Sequence, residues 1–172
     1  IGEILVETGM IDFFNVNRGH CSTNVGLADL IPNMGVPQAP HLSFAGEIKR
    51  HFNLPVMHAA RINDVATARY AVREGLLDLV SMTRGHIADP HIVSKIIRGE
   101  EDQIRPCVGM GYCIDRIYGE GEALCAHNPA TGREASLPQI IGKSKDAQKR
   151  IVIVGAGPAG LEAARVCASR GH

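Results

Sequence analysis

The sequence predicts an α/β fold in which parallel strands are covered by helices, and three observations predict it. Short, mostly apolar runs recur at 11–17, 54–60 and 77–83. Amphipathic stretches of helical period separate them, the pattern of crossover connections in a parallel sheet. A further β-branched run at 151–154 leads through GAGPAG into another helical stretch. An open doubly wound sheet and a (β/α)8 barrel both satisfy this rhythm, and periodicity leaves the two open.

The elements follow in order. Residues 1–8 read as the end of a helix terminated by Gly9. Residues 11–17 form a first strand, and 18–40 a long polar loop. Residues 41–52 place Leu42, Ala45, Ile48 and Phe52 on one helical face, ahead of a strand at 54–60. Asn63 or Asp64 can cap a helix over 65–74 that Gly75 stops. A third strand spans 77–83. Asp89 with Pro90 then opens a helix whose buried stripe is Ile92, Val93, Ile96 and Ile97, ended by Gly99.

Ligands of such sheets gather beyond the carboxyl ends of the strands. Those ends carry Asn17 to His20, then Ala60 and Arg61, then Thr83, Arg84 and Gly85. Two arginines at adjacent strand ends beside small residues suit a phosphate; for Arg84, an ion pair with Asp89 is the competing reading. Residues 106–148 lack periodicity but hold Cys107, Cys113 and Cys125 on a glycine-rich segment, able to converge on one metal. Cys167 reads as a packing residue, and 136–148 as a linker.

Residues 149–172 place the glycine motif between a strand and a helix, the context a dinucleotide-binding turn needs. Gly155 permits the tight turn, Gly157 the approach of a pyrophosphate, and Gly160 close packing of helix on strand. The bland alternative is a glycine turn that binds nothing. The acidic residue that would hold a ribose belongs about 20 residues further on, beyond His172.

Composition narrows the function classes. With 172 residues and 45% hydrophobic content, the chain has material for one domain or parts of two. A net charge of zero gives no pull towards nucleic acid or an anionic membrane. No apolar stretch approaches the roughly 18 residues a membrane span needs, and the first residues lack a signal-peptide pattern. Both ends read as cuts within a longer polypeptide. Five unevenly placed cysteines suit reduced thiols in a cytoplasmic protein.

The stretches MTRGHIADPHIVSKIIRGEEDQIRPCVGMGYC, LCAHNPATGRE and IVIVGAGPAGLEAA together closely resemble the multidomain flavoproteins related to old yellow enzyme. That family includes 2,4-dienoyl-CoA reductase, trimethylamine dehydrogenase and N-methyl amino acid demethylases, and the likeness runs from Asp12 onward. The resemblance implies that 1–105 are the last three strand–helix units, strands six to eight, of a TIM barrel carrying FMN. It implies that 106–148 hold a 4Fe–4S cluster on Cys107, Cys113 and Cys125, and that 149–172 begin a Rossmann-like FAD or NAD(P) domain. The family's FMN phosphate site falls on Ala60, Arg61, Thr83 and Arg84. His20 falls where relatives place an acid/base residue, although a loop histidine that caps a backbone group is the plainer reading.

The chain departs from the family at Met110, where relatives have a cysteine. A thioether is a poor ligand for iron. Asp115 and His127 are able substitutes, and spacing selects neither; zinc on three cysteines and a histidine is the other metal reading. The resemblance implies an electron path from a small-molecule substrate through FMN and the cluster to the nucleotide domain, and a homo-oligomer is compatible with it. GYCIDRIYGEGEALC is nearer the demethylase branch than the C=C reductase branch. The rivals are a metal- and nucleotide-binding module without turnover and a non-redox phosphate-binding barrel. The latter leaves the cysteines and GAGPAG unexplained.

Overall fold

A computed structural model describes residues 1–172 as two compact units, Ile1–Gly132 and Arg133–His172. The first unit is an α/β fold built on a three-stranded parallel sheet. Its strands are β1 (Phe14–Val16), β2 (Val56–His58) and β3 (Leu79–Val80), in the order β1-β2-β3. Phe14 pairs with Val56 and Val16 with His58, while Met57 pairs with Leu79. The ladder is shorter than the apolar runs predict, with single flanking bonds from the Asp78 amide to Val56 and from the Ser81 amide to His58 carrying it just past β3.

Helices α1 (Gly2–Glu7), α2 (Asn24–Leu30), α3 (Leu42–His51) and α4 (Val65–Arg73) precede and connect the strands. The core lies where α3 and α4 meet the sheet: Val16, Leu42, Ala45, Val56, Ile62, Ala71 and Leu77 are buried together. Period-2 alternation turns Val56 and His58 to this buried side and leaves Met57 half-buried between them. Asp64 caps α4 through its carboxylate, which accepts from the Thr67 amide at 2.7 Å. Lys49 and Arg50 in the last turn of α3 complement its negative end. The Asp78 carboxylate accepts from Lys49 at 2.5 Å and from the Val56 amide at 2.8 Å, stapling α3 to the start of β2.

Several sequence expectations need correction. The polar loop over 18–40 contains α2, which Thr23 caps by accepting from the Gly26 amide at 3.1 Å. The third strand does not reach residue 83, because the chain turns at Met82 into α5 (Thr83–Ala88). The helix after Pro90 begins at Ile92 as α6 (Ile92–Arg98), with Gly99 left-handed at its end (φ 72°). Of its expected stripe, Ile92 is buried, but Val93 and Ile97 are 54% and 80% exposed. The aperiodic segment holds one helix, α7 (Tyr112–Tyr118).

The second unit contains α8 (Pro158–Arg170), with proline at its first position and Gly171 left-handed after its end. Arg165 holds Glu162 one turn away through two bonds of 2.7 Å. Residues 151–154 are not a strand here. They have no ladder partner, and Val152 and Val154 are 88% and 96% exposed. A β-branched run becomes a strand only when a neighbour takes up its backbone groups. No helix of the chain is long and apolar enough to cross a membrane.

Candidate functional site

The carboxyl ends of the three strands open onto a cleft of about 250 Å³, whose walls include Asn17, Ala60, Arg61, Met82, Thr83 and Arg84. Ala60 and Arg61 leave β2 with consecutive positive φ angles of 74° and 57°. Each such non-glycine residue costs about 1–3 kcal/mol and persists only where its surroundings hold it. Here the Arg61 carbonyl is fixed by the Ala39 amide at 3.1 Å. The turn aims Arg61 into the cleft, and its buried Nε has no hydrogen-bond partner.

Arg84 enters from α5. Its Nη2 donates to the Pro32 carbonyl at 2.8 Å, while its buried Nη1 has no partner. The ion pair expected with Asp89 as the competing reading is absent, because Asp89 is fully engaged elsewhere. It is 2% exposed and accepts from Lys95 at 2.5 Å, the Arg105 amide at 2.9 Å and the His91 amide at 3.0 Å. Burial alone would raise the Asp89 carboxyl, but those three donors together hold it below the ordinary carboxylate range. Two guanidinium groups with unsatisfied buried donors in one cleft create a demand for an anion. The residues present fit the phosphate end of a flavin nucleotide.

Beyond Arg84 lies a second, narrow cleft of about 30 Å³, lined by Cys107, Met110, Cys113, Cys125 and His127 among others. Arg84 lines both clefts. Cys113 is buried on α7; that burial pushes its thiol up, against the pull of Arg84. The segment is stapled to the arginine cradle, since the Met34 amide donates to the Gly109 carbonyl at 2.7 Å. A side chain at Gly109 would come within 3.4 Å of Arg61 Nε, and its φ of +73° also favours glycine. Behind it, Asn128 and Thr131 both donate to the Ile87 carbonyl, at 3.1 and 3.0 Å, and fasten this stretch to α5. The three cysteines thus share one cleft, but no three metal-ligating side chains close on a single point. The donor chemistry fits a thiolate-bound metal; the spacing as folded is wider than a closed site.

His20 is not among the residues that wall the arginine cleft. Its Nδ1 accepts from the Ser22 amide at 3.2 Å, and its ring covers Gly26, where a side chain would come within 2.6 Å. In the second unit, Gly155 has a φ of +106° with open space around it, and Gly157 is equally open. A Cβ on Gly160 would lie 2.0 Å from the Gly155 carbonyl oxygen, so the start of α8 packs there only with glycine. Gly157 precedes α8 without a side-chain cap, leaving the first amides of the helix free for a phosphate. These features fit the pyrophosphate of a dinucleotide.

Some contributors escaped the sequence reading. The Pro32 carbonyl, 52 residues from Arg84, and the Met34–Gly109 staple have no local signal. The cap at Thr23 was legible as a threonine three residues before Gly26.

The fold defines an α/β protein with a parallel sheet, and its strand-end cleft holds two arginines whose unpartnered donors suit an anion. No protein-family model matches the chain. It is 55% identical over 172 residues to a probable N-methylproline demethylase of Rhizobium meliloti (strain 1021), covering 100% of this chain and 25% of that protein. It is also 55% identical over 173 residues to the multifunctional alkene reductase/demethylase OYE of Caballeronia cordobensis, again covering 100% and 25%. The solved 6-hydroxypseudooxynicotine amine oxidase (HisD) of Pseudomonas geniculata N1 superposes with a TM-score of 0.84 at 29% identity, covering 99% of this chain and 26% of that one. These likenesses, over the whole of this chain, fit the old yellow enzyme-related family of flavin-dependent oxidoreductases. It spans about a quarter of the length of the curated relatives it matches, 25% in both cases.

Proposed function

We propose that the full-length protein is an FMN-dependent oxidoreductase that oxidatively demethylates an N-methylated amine or amino acid. One observation carries the FMN part of the reading: the unpartnered buried donors of Arg61 and Arg84 in a single strand-end cleft. In this reading 1–105 are strands six to eight of an FMN-binding barrel and 106–148 form the metal-bearing loop and linker. Residues 149–172 open an FAD or NAD(P) domain in which 151–154 gain sheet neighbours. Ala60, Arg61, Thr83 and Arg84 hold the FMN phosphate, and Gly155, Gly157 and Gly160 receive a dinucleotide. Bound there, FMN would supply the two-electron oxidising power for the N-methyl group, the overall reaction with water giving formaldehyde and the demethylated amine. Cys107, Cys113 and Cys125 would hold a metal centre, which would supply one-electron transfer. His20 is the acid/base group in this reading.

A probable N-methylproline demethylase at 55% identity supports the substrate class. The 55% identical alkene reductase/demethylase supports a second reading, NAD(P)H-driven reduction of an activated C=C bond. The test is anaerobic mixing of full-length protein with N-methylproline and related N-methyl amino acids. Bleaching of flavin absorbance with formaldehyde release supports demethylation. Bleaching by NAD(P)H alone, with reoxidation by an activated alkene, would replace it with the reductase reading.

A further inference from the structure

Three thiols leave a metal one ligand short of the four that iron–sulfur clusters and structural zinc sites take. Met110 lines the thiol cleft, but its thioether is a poor donor to iron. Asp115 lines the neighbouring cleft with Asn24 and Asn33, not the one the cysteines share. His127 does line the thiol cleft, and its orientation is informative. Its Nδ1 lies 2.9 Å from the Pro106 carbonyl oxygen. A carbonyl only accepts, so the hydrogen sits on Nδ1 and the Nε2 lone pair is left free. Metal-binding imidazoles are oriented in this way, with the second ring nitrogen spent on a carbonyl or carboxylate. The acceptor is also well placed along the chain. Pro106 adjoins Cys107, so this bond ties the segment carrying Cys125 and His127 to the segment carrying the first thiol.

We propose that Nε2 of His127 is the fourth protein ligand of a metal centre whose other ligands are Cys107, Cys113 and Cys125. The inference rests on the cofactor-chain reading for the presence of a metal, and adds which side chain replaces the cysteine absent at 110. A cleft of about 30 Å³, with no three ligands closed on one point, requires the lining to open around the bound centre. The donor set of three thiolates and one imidazole accepts either an iron–sulfur cluster or a single zinc ion.

The test uses full-length protein purified anaerobically and, in parallel, reconstituted with ferrous iron and sulfide or with zinc. Flavin, iron, acid-labile sulfide and zinc are counted per chain, and the metal's resistance to chelator is timed. His127→Ala should lose metal at least tenfold faster than wild type, His127→Cys should retain it, and Met110→Leu should behave as wild type. The wild-type centre gives an independent reading if a variant fails to fold. An iron cluster should show nitrogen hyperfine coupling in its reduced, paramagnetic state, and zinc should show a nitrogen neighbour by X-ray absorption. Unchanged metal retention in His127→Ala, a first shell without nitrogen, or a wild-type protein that binds neither metal would each overturn the proposal. Flavin without metal would sink this inference alone. A nitrogen-ligated metal without flavin would sink the flavin reading and leave His127 in place.

Discussion

Replacing Arg84 with alanine removes one of the two cations that face the strand-end cleft. Its Nη1 is buried without a partner, so in the free protein it is an unsatisfied charged donor waiting for an acceptor. A hydrogen bond to a charged partner contributes about 1.5–3 kcal/mol. At about 1.4 kcal/mol per factor of ten, FMN should bind roughly 10- to 100-fold more weakly to Arg84→Ala. Arg84 also serves the Pro32 carbonyl at 2.8 Å, so the melting temperature of each variant is measured alongside. Arg84→Lys keeps the charge but loses the fork and should fall between wild type and alanine. With Arg61 and Arg84 holding one phosphate as proposed, the double alanine variant should lose less than the sum of the singles. Quenching of FMN fluorescence on titration into flavin-stripped full-length protein is the assay. A change of less than about twofold in a variant that melts normally would remove Arg84 from the site and refute the reasoning.

Two further outcomes follow from the geometry. Asp89→Asn should cost about 2–3 kcal/mol of stability at neutral pH by weakening a buried acceptor of three donors. Because the Asp89 carboxyl is held below its ordinary value, its contribution is present above the unfolded carboxylate pKa of about 3.9 and lost as pH falls through the lower folded value. Chemical denaturation from pH 7 to pH 2 should therefore show a shallower acid limb in the variant, and an unchanged limb would mean that Asp89 is not the group responsible. His20→Ala should lower turnover about 10²-fold while leaving flavin content unchanged. Equal turnover at all pH values would reduce His20 to the cap on the Ser22 amide seen in the structure.

Much of the fold was legible because it rests on local patterns. The strand within 54–60, the cap at Asn63 or Asp64 and the stop at Gly99 each follow from residues within one turn or strand of one another. Strand lengths were not legible, because a ladder ends where backbone partners end, and those lie in other segments. The exposed Ile97 on α6 shows the same limit: helical period marks a face, not what covers it. At the site, the two arginines could be placed from the strand-end rule, but what distinguishes an anion cradle from an ion pair could not. That required seeing Asp89 committed to Lys95 and two amides, and Arg84 left with a free donor. The choice between Asp115 and His127 was likewise beyond spacing. It depends on which cleft each side chain enters.

The phosphate is the part of FMN that Arg61 and Arg84 are proposed to hold, so the most direct measurement compares FMN with riboflavin, which lacks it. Two charge-assisted contacts of about 1.5–3 kcal/mol each predict that flavin-stripped full-length protein binds FMN at least about 100-fold more tightly than riboflavin. That preference should collapse in the Arg61→Ala, Arg84→Ala double variant. Equal affinity for the two flavins in wild type would contradict the account at its root.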